Sequence, residues 1–387
     1  LKSKNKPCTF PLHITSAREA SSMRPWNWAV LISTCRSFED SCHAPSLLQT
    51  KQVLPGRDSC EAQAPAHTCG TADVPGISLA ERPALKCLIC QNSPEDSARL
   101  FAIERVDGVG ARVVAATMAL AYAAFYKLNF GGFITSELGD DHHGEDVVKC
   151  LTAYFGHSFS DMRVQTANPN FDQCLTSMPN QSAARWRSGQ ALLLKAECRN
   201  LHTRQDTHLL TEPFLGRLRQ STSLLNLPTP LFRSTQLNIA IHVRRGDMLQ
   251  NKRWEDERYV PDDIYIDFLK QFRLQIAQVD IHVFSTTEGI IPDSFFDVYR
   301  QVGVQVHLDG DPIDDWAHLA QADLLVVAPS SFSWAAGLLN QKCVLAFKGY
   351  GYPALSHWIS IDPRIDPLEH ARHCILSRGI LKENPGV

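Results

Sequence analysis

The chain has 387 residues, of which 44% are hydrophobic and 20% are charged, and its formal net charge is −3. This composition is typical of a folded chain of two or three domains and excludes a disordered or fibrous protein. The lack of a basic excess argues against a general nucleic-acid-binding protein, because such proteins neutralise phosphates with clustered Lys and Arg. No run of about 18 apolar residues occurs, so the sequence predicts no membrane-spanning helix.

The first 95 residues show no sustained periodicity and are rich in Ser, Pro, Cys and His. We interpret residues 1–95 as an irregular or poorly ordered extension. Seven of the twelve cysteines lie in the first 90 residues, and the sequence does not reveal how they pair or which compartment holds the protein. Because the chain begins at Leu1, we expect membrane association only through an amino-terminal anchor that this sequence lacks.

A strand, a turn and a helix follow in order. Residues 100–103 read as a short buried strand, 107–112 as a glycine-containing turn, and 113–128 as a helix of small and apolar residues. This order opens an α/β domain, which we assign to residues 96–235. Residues 140–235 contain helix-compatible stretches, and the Pro-rich segment 227–231 reads as a linker.

The carboxy-terminal part, 236–387, has the clearest alternation of short apolar runs and amphipathic stretches. Predicted strands cover 238–243, 279–284, 304–308, 324–328 and 343–347, and predicted helices cover 262–278, 294–302, 313–322 and 332–340. Asp262 is the expected N-cap of the first of these helices. The alternation predicts a parallel sheet with helices on both faces, whose ligands bind at the carboxyl ends of the strands.

The first strand of this sheet runs into two arginines. Side chains alternate along a strand, so His242 and Arg244 point one way and Arg245 the other. Two guanidiniums at a strand end, followed by a glycine, favour a bidentate phosphate clamp. The alternative is that both arginines are surface residues paired with Asp247 or Glu255.

Two serines follow the strand 324–328 and precede a helix. Ser330 or Ser331 is placed to cap that helix, whose positive end would then face the cleft. A phosphate suits such a site, although serine is also a common N-cap without a ligand.

An acidic segment lies between these two features. A carboxylate at Asp314 or Asp315 is placed either to accept the N–H donors of a guanine edge or to cap the helix. Asp309 and Asp311 form a D-x-D triplet that can bind manganese, but three-residue patterns of this kind arise often by chance. Thr286 follows the strand 279–284 and supplies a hydroxyl at the same rim.

Together these motifs resemble the donor motifs of GDP-fucose-dependent fucosyltransferases, most closely the α1,2 type, with a framework shared by the α1,6 type. The resemblance covers residues of about 100–360 and rests on the His-Val-Arg-Arg-Gly-Asp run at 242–247, the Phe-Ser-Thr strand end at 284–286, and the segment 315–334. The turn at 107–112 is similar to the family's G-x-G-N-R loop, with Ala111 in place of Asn.

The resemblance implies a GT-B fold of two Rossmann-like domains, with the nucleotide-sugar site in the carboxy-terminal one. It implies that Arg244 is catalytic and binds the β-phosphate and that Arg245 supports the same pocket. The other binding residues that it implies are His242 and Asp315 for guanine, Ser330 and Ser331 for the diphosphate, and Thr286, Gly108, Gly110 and Arg112.

The implied reaction is an inverting, metal-independent transfer of fucose from GDP-fucose to a glycan hydroxyl, with an α1,2 link and a Golgi or secretory location in a eukaryote. No cofactor is expected. Asp247 and then Glu255 are the candidate bases, whereas Lys252 stands where the α1,6 relatives have a glutamate. The alternatives are a transferase that uses another nucleotide sugar and a catalytically inactive nucleotide- or glycan-binding relative, which Ala111 favours.

Overall fold

The computed structural model describes a large part of the chain beyond the amino-terminal segment. The described residues are 98–105, 107–134, 147–156, 159, 163–164, 173–175, 186–194, 206–249, 258–276, 278–349, 352–362 and 367–380. The predicted extension over 1–95 lies outside them. Two parallel sheets flanked by helices confirm the predicted α/β fold with two Rossmann-like units.

The amino-terminal sheet has five described strands, all paired in parallel. They are β1 (Arg99–Ile103), β2 (Asn129–Ile134), β3 (Arg163–Val164), β4 (Gln173–Leu175) and β5 (Ala191–Leu194), in the order β3-β2-β1-β5-β4. The helices of this half are α1 (Val109–Phe125), α2 (Val147–Phe155) and α3 (Glu212–Ser221). The helices α2 and α3 confirm the helix-compatible stretches predicted within 140–235. The strands β3, β4 and β5 were not predicted, because short apolar runs such as β5 cannot be told from helix by periodicity.

Helix α1 begins earlier than the sequence predicted. Gly108 is its N-cap, so Gly110 and Arg112 lie in the first turn and not in a loop. Most of the helix is buried, including Thr117 and Tyr122, because α1 packs both on its own sheet and on the other half of the molecule.

The carboxy-terminal sheet has six strands in the Rossmann order. They are β6 (Leu237–His242), β7 (Val279–Ser285), β8 (Gln305–Leu308), β9 (Leu324–Val327), β10 (Cys343–Phe347) and β11 (Ile359–Ile361), in the order β11-β10-β9-β6-β7-β8. Its helices are α4 (Asp262–Gln275), α5 (Asp297–Gln301), α6 (Pro312–Gln321), α7 (Ser331–Leu339) and α8 (Pro367–Ser377). The strand order reverses between β6 and β9, which places the topological switch point at their carboxyl ends.

Three helix starts in this half differ from the prediction. Asp262 is the first residue of α4, with Pro261 in the cap position, and its carboxylate bonds side chains and not the helix end. Residues 293–296 form a 3₁₀ turn, so that α5 is shorter than the predicted helix 294–302. Asp311 caps α6 by accepting from the Ile313 N–H at 2.8 Å, whereas capping was one of the two roles considered for Asp314 or Asp315.

The two halves share one apolar core. It contains residues from α1 and β1 together with residues from β9, α6 and α7, while a second core covers the other face of the carboxy-terminal sheet beneath α4 and α8. The Tyr154 hydroxyl of α2 donates to the Ala335 carbonyl of α7 at 2.9 Å. Gln321 of α6 donates to the Leu227 carbonyl at 2.9 Å, so the predicted linker is docked on the carboxy-terminal half.

A histidine cluster lies on the shared-core side of β7 and β8. His282 Nδ1 and His307 Nε2 are hydrogen-bonded at 3.0 Å, and His282 Nε2 lies 3.1 Å from Asp280 Oδ2. The Phe284 ring contacts both His307 and His318. Burial lowers the pKa of all three histidines, so the cluster is neutral at pH 7.

A disulfide bond joins the carboxy-terminal sheet to its last helix. Cys343 at the start of β10 is bonded to Cys374 in α8, a pairing that the sequence left open. Within the described residues, no helix combines the length and hydropathy that crossing a bilayer requires.

Candidate functional site

The switch point brings two of the sequence-predicted residues together. Arg244 follows β6 and Ser330 follows β9, and the Arg244 Nη1 atom lies 3.4 Å from the Ser330 hydroxyl oxygen. Parallel strands end at the same edge of the sheet, which explains how residues far apart in sequence meet there. A guanidinium and a hydroxyl that lie together are groups of the kind that can bind an anion.

The helix beyond Ser330 supplies further donors. The Ser330 side chain caps α7 by accepting from the Phe332 N–H at 3.3 Å, which agrees with the predicted capping role. Ser330 and Ser331 are both buried. The first turn of a helix has N–H groups without intrahelical partners and a partial positive charge, so this end attracts a negatively charged group.

The amino-terminal half touches the same helix end. A Cβ atom built on Gly110 would lie 2.5 Å from the Phe332 nitrogen and 2.7 Å from the Phe332 Cα. Only a glycine allows α1 and α7 to approach this closely at their first turns. Gly110 therefore serves a helix contact at the edge of the site, and Gly108 is the N-cap of α1.

His242 lies beneath this edge as a neutral ring. Burial, with smaller contributions from Arg244 and Arg245, lowers the pKa of His242 to about 3. Its ring lies 5.5 Å from that of Phe332, which in turn stacks on Trp316 at 4.9 Å. Within the described part of the chain, the buried His242 Nδ1 atom has no hydrogen-bond partner. A neutral imidazole in this position can bond a polar ligand atom.

Asp315 lies in the first turn of α6 with a perturbed carboxyl group. Burial, together with Asp314 and Asp311, raises the pKa of Asp315 to about 7. The Asp315 carboxylate packs against Gly310, where a Cβ atom would be 2.7 Å from Oδ1. A buried carboxyl with a pKa near neutrality is typical of a functional site, because a bound donor group can hold it in the ionised form.

The structure does not place Arg245 in this crevice. Its side chain is 1% exposed on the opposite face of the sheet, where Nη2 donates to the Val260 carbonyl at 3.0 Å and pairs with Asp262 at 2.5 Å. The guanidinium also lies 4.4 Å from the centre of the Tyr259 ring. The predicted clamp of two arginines is thereby corrected to Arg244 alone, because alternation along the chain sends Arg245 into the second core.

Arg112 is likewise enclosed within the protein. Its Nε atom donates to the Asp107 carbonyl at 2.7 Å, and its Nη1 atom lies 3.9 Å from the Glu104 carboxylate. Arg163 also pairs with Glu104, at 3.0 Å. These contacts hold the Arg112 side chain within the amino-terminal half, and the binding role that the resemblance implied stays a prediction.

The rim residues of β7 and β8 bond one another. The Thr286 hydroxyl and the Thr287 hydroxyl each donate to the Asp309 carboxylate at 2.7 Å. Asp311, the other member of the D-x-D triplet, caps α6 and pairs with Lys149. Thr286 therefore orders the loop beside the crevice, and protein donors occupy both carboxylates of the triplet.

The structure does not describe the side chains of the two candidate bases. Asp247 belongs to a 3₁₀ turn, Gly246–Leu249, but its side chain lies outside the described structure, and so does Glu255. A carboxylate that the sequence did not single out is present: Glu288, beyond β7, packs on Gly246, where a Cβ atom would lie 2.8 Å from Glu288 Cδ. Glu288 could have been found from the sequence, because it lies three residues after the end of β7.

Three more residues at this edge were missed from the sequence. Burial raises the pKa of Tyr352, which lies after β10, while Ser331 and the charges of Arg258, Arg244 and Arg105 act in the opposite direction. Arg105 follows β1 and Tyr352 follows β10, so a search of every strand end would have found both. Arg258 has no such signal, because it precedes a helix.

Comparisons with known proteins give only distant structural likenesses. No protein-family model matches the chain, and no curated protein does. Among solved structures, E. coli heptosyltransferase WaaC with ADP-2-deoxy-2-fluoro heptose has a TM-score of 0.37 at 11% identity, covering 72% of this chain and 99% of that one. A FUT1 mutant from Arabidopsis thaliana in complex with GDP has a TM-score of 0.34 at 13% identity, covering 68% and 72%. A glycosyl transferase family 9 protein from Veillonella parvula has a TM-score of 0.36 at 11% identity, covering 76% and 93%. At these values the function of this chain has to be argued from its own residues.

Proposed function

We propose that the protein is a glycosyltransferase that transfers fucose from GDP-fucose to a glycan hydroxyl. The observation that supports this most directly is the meeting of Arg244 with Ser330 at the switch point between β6 and β9. Both groups belong to motifs that resemble the fucosyltransferase donor motifs, and both suit a diphosphate chemically. The α1,2 link and the inverting course are part of the same proposal.

The chemical step follows from where charge develops. As the bond between the anomeric carbon and the phosphate oxygen breaks, its electron pair passes to the phosphate and raises the negative charge of GDP. Arg244 and the capped end of α7 stabilise that charge because they are held in place before the reaction. The sugar becomes oxocarbenium-like, and the acceptor oxygen attacks from the opposite face.

The acceptor hydroxyl loses its proton as the new bond forms, and a carboxylate is the group suited to take it. Asp247 and Glu255 are the candidates from sequence, and Glu288 is the one whose side chain the structure places against the Gly246 turn. Replacing each in turn by the matching amide identifies the base as the variant that loses transfer while still binding GDP.

Guanine recognition and metal independence belong to the same proposal. An ionised Asp315 can accept the two N–H donors of the guanine edge, and the neutral His242 ring lies close enough to Phe332 to line the same pocket. We propose that no metal is required, since Arg244 and the α7 end supply the positive charge. Full activity in excess EDTA is the expected result, and loss that manganese restores would contradict it.

A secretory location is proposed because the structure contains a disulfide bond. The disulfide between Cys343 and Cys374 is of a kind that persists in oxidising compartments.

Transfer of a different nucleotide-linked sugar is the second candidate. The contact between Arg244 and Ser330 suits a diphosphate and does not read the base or the hexose. An inactive relative is the third, and Ala111 is the residue that favours it.

The first test compares nucleotide-sugar donors, and the second compares the wild type with a variant at Arg244. Binding and turnover are measured with GDP-fucose, GDP-mannose and UDP-galactose on an acceptor array; preference for another donor would overturn the fucose assignment. Arg244→Lys is expected to reduce transfer by about two to three orders of magnitude, because a point charge does not reproduce the planar fork. Arg300→Lys is the matched control, since Arg300 pairs with Asp293 and Asp297 on the surface.

A further inference from the structure

Two buried side chains hold the backbone that carries Arg244. Arg244 lies two residues beyond β6, where the strand has ended. Its own carbonyl oxygen accepts a hydrogen bond from Arg245 Nη1 at 2.7 Å, and the preceding carbonyl, of Val243, accepts from the Ser285 hydroxyl at 2.6 Å. Both donors are buried. The backbone from which the Arg244 side chain extends to Ser330 is therefore fixed by two buried bonds.

Arg245 is in turn anchored by two helices of the carboxy-terminal half. Its Nη2 atom donates to the Asp262 carboxylate of α4 at 2.5 Å and to the carbonyl of Val260, which precedes this helix, at 3.0 Å. The Tyr299 hydroxyl of α5 donates to the same oxygen atom of Asp262. Burial raises the pKa of Tyr299, so its hydroxyl keeps the proton that this bond requires.

Stability alone does not account for this network. A buried ion pair is often no more stabilising than well-packed apolar side chains of similar volume, because both charges lose their hydration. The planar fork of Arg245 adds a defined geometry, since Nη1 bonds the Arg244 backbone while Nη2 bonds the carboxylate of Asp262. A misplacement of about 1 Å at a reacting group can cost about a hundredfold in rate. The network is therefore suited to set where the Arg244 guanidinium lies.

We propose that Arg245, Asp262 and Tyr299 are positioning residues, which act through the Arg244 backbone and hold the Arg244 guanidinium where the phosphate of the donor binds. None of the three touches the donor. The inference rests on the proposed function, in which Arg244 binds the diphosphate. It gives Arg245 an indirect role in place of the direct one that the predicted clamp of two arginines assigned to it.

The test is a double-mutant cycle on the affinity of the full chain for inorganic pyrophosphate, measured by calorimetry. Arg244→Gln removes the phosphate ligand, and its affinity should fall by about tenfold to a hundredfold. Arg245→Lys keeps the buried charge but cannot occupy both nitrogen positions of the fork, and its affinity should fall by about tenfold. In the Arg244→Gln background, Arg245→Lys should have no further effect, because the group through which it acts is already absent.

Tyr299→Phe protects the test against misfolding, because it removes a single oxygen atom, and it replaces Arg245→Lys in the cycle if that variant does not fold. Tyr122→Phe is the matched control. The Tyr122 hydroxyl also donates to a carboxylate, that of Asp206, but it lies about 18 Å along α1 from Gly110. Both variants should lower Tm by a similar few degrees, whereas only Tyr299→Phe should weaken pyrophosphate binding, by about fivefold.

The outcomes separate the positioning role from the proposed function. Additive effects in the cycle would overturn the positioning role, and so would wild-type affinity in Arg245→Lys and Tyr299→Phe when Arg244→Gln binds weakly. Unchanged pyrophosphate binding in Arg244→Gln would overturn the phosphate role of Arg244 and this inference with it. Non-additive effects in a protein that gives no turnover of GDP-fucose support the positioning role and refute the fucose assignment alone.

Discussion

Replacement of Gly110 by alanine tests the contact that joins the two halves at the candidate site. The added methyl group would lie 2.5 Å from the Phe332 nitrogen and 3.0 Å from the Ser331 carbonyl carbon, and both are backbone atoms that cannot rotate away. To reach an ordinary contact of about 3.4 Å, the first turns of α1 and α7 must separate by about 0.9 Å. Alanine favours the helix by up to about 1 kcal/mol, whereas overpacking of this kind costs about 1 to 3 kcal/mol.

We therefore expect Gly110→Ala to lower the free energy of unfolding by about 1 to 2 kcal/mol and Tm by a few degrees. Because the separation moves the end of α7 and with it Ser330, which lies beside Arg244, the affinity for GDP should also fall. A misplacement of about 1 Å can cost about a hundredfold in rate. Thermal unfolding and GDP titration measure the two effects.

Gly216 provides the matched control. It lies inside α3, and a Cβ atom there would meet nothing within 4 Å. Gly216→Ala should raise stability by about 0.5 to 1 kcal/mol and leave GDP binding unchanged. Equal behaviour of the two variants, both more stable and both binding GDP normally, would refute the close approach of the two helix ends.

Three further predictions concern a covalent bond and two titrating sites. Reduction of the bond between Cys343 and Cys374, which are 31 residues apart, should lower stability by about 3 to 4 kcal/mol, as seen in thermal unfolding with and without dithiothreitol. Burial lowers the pKa of His282, and lowers that of His307 to about 4, so the unfolded chain binds more protons below about pH 6.5 and stability is lost as the pH falls from there. Urea unfolding across this range should show that loss, and His282→Gln should reduce it. Burial raises the pKa of Asp315 to about 7, so GDP affinity should fall as the pH drops below about 7 in the wild type but not in Asp315→Asn.

In the carboxy-terminal half, the local sequence pattern alone predicts strands and helices accurately. The predicted strand 324–328 and helix 332–340 match β9 and α7 to within a residue or two. A fully buried parallel strand is a continuous apolar run, and Ser330 is a cap because of its own side chain and the two residues after it. Such features depend on neighbours in the chain, so the sequence predicts them.

The amino-terminal half shows where that reasoning fails. Strands of two to four residues, such as β3 and β4, carry no measurable period, and their pairing with β2 and β5 decides that they are strands. The start of α1 was misplaced for a related reason. Gly110 has a low helix propensity, and its helical position is secured by the contact with Phe332.

By itself, the sequence determined the α/β alternation and the residue types that follow each strand of the carboxy-terminal sheet, because both depend on periodicity and strand ends. The pairing of β6 with β9, which creates the crevice beyond their ends, came from the tertiary structure. Tertiary structure alone decided which charges face that crevice. Arg245 and Arg112 lie in buried ion pairs, whereas the Arg244 guanidinium lies beside the Ser330 hydroxyl. The physical reason is that a guanidinium keeps its charge wherever it lies, so its role depends on the partners that packing brings to it.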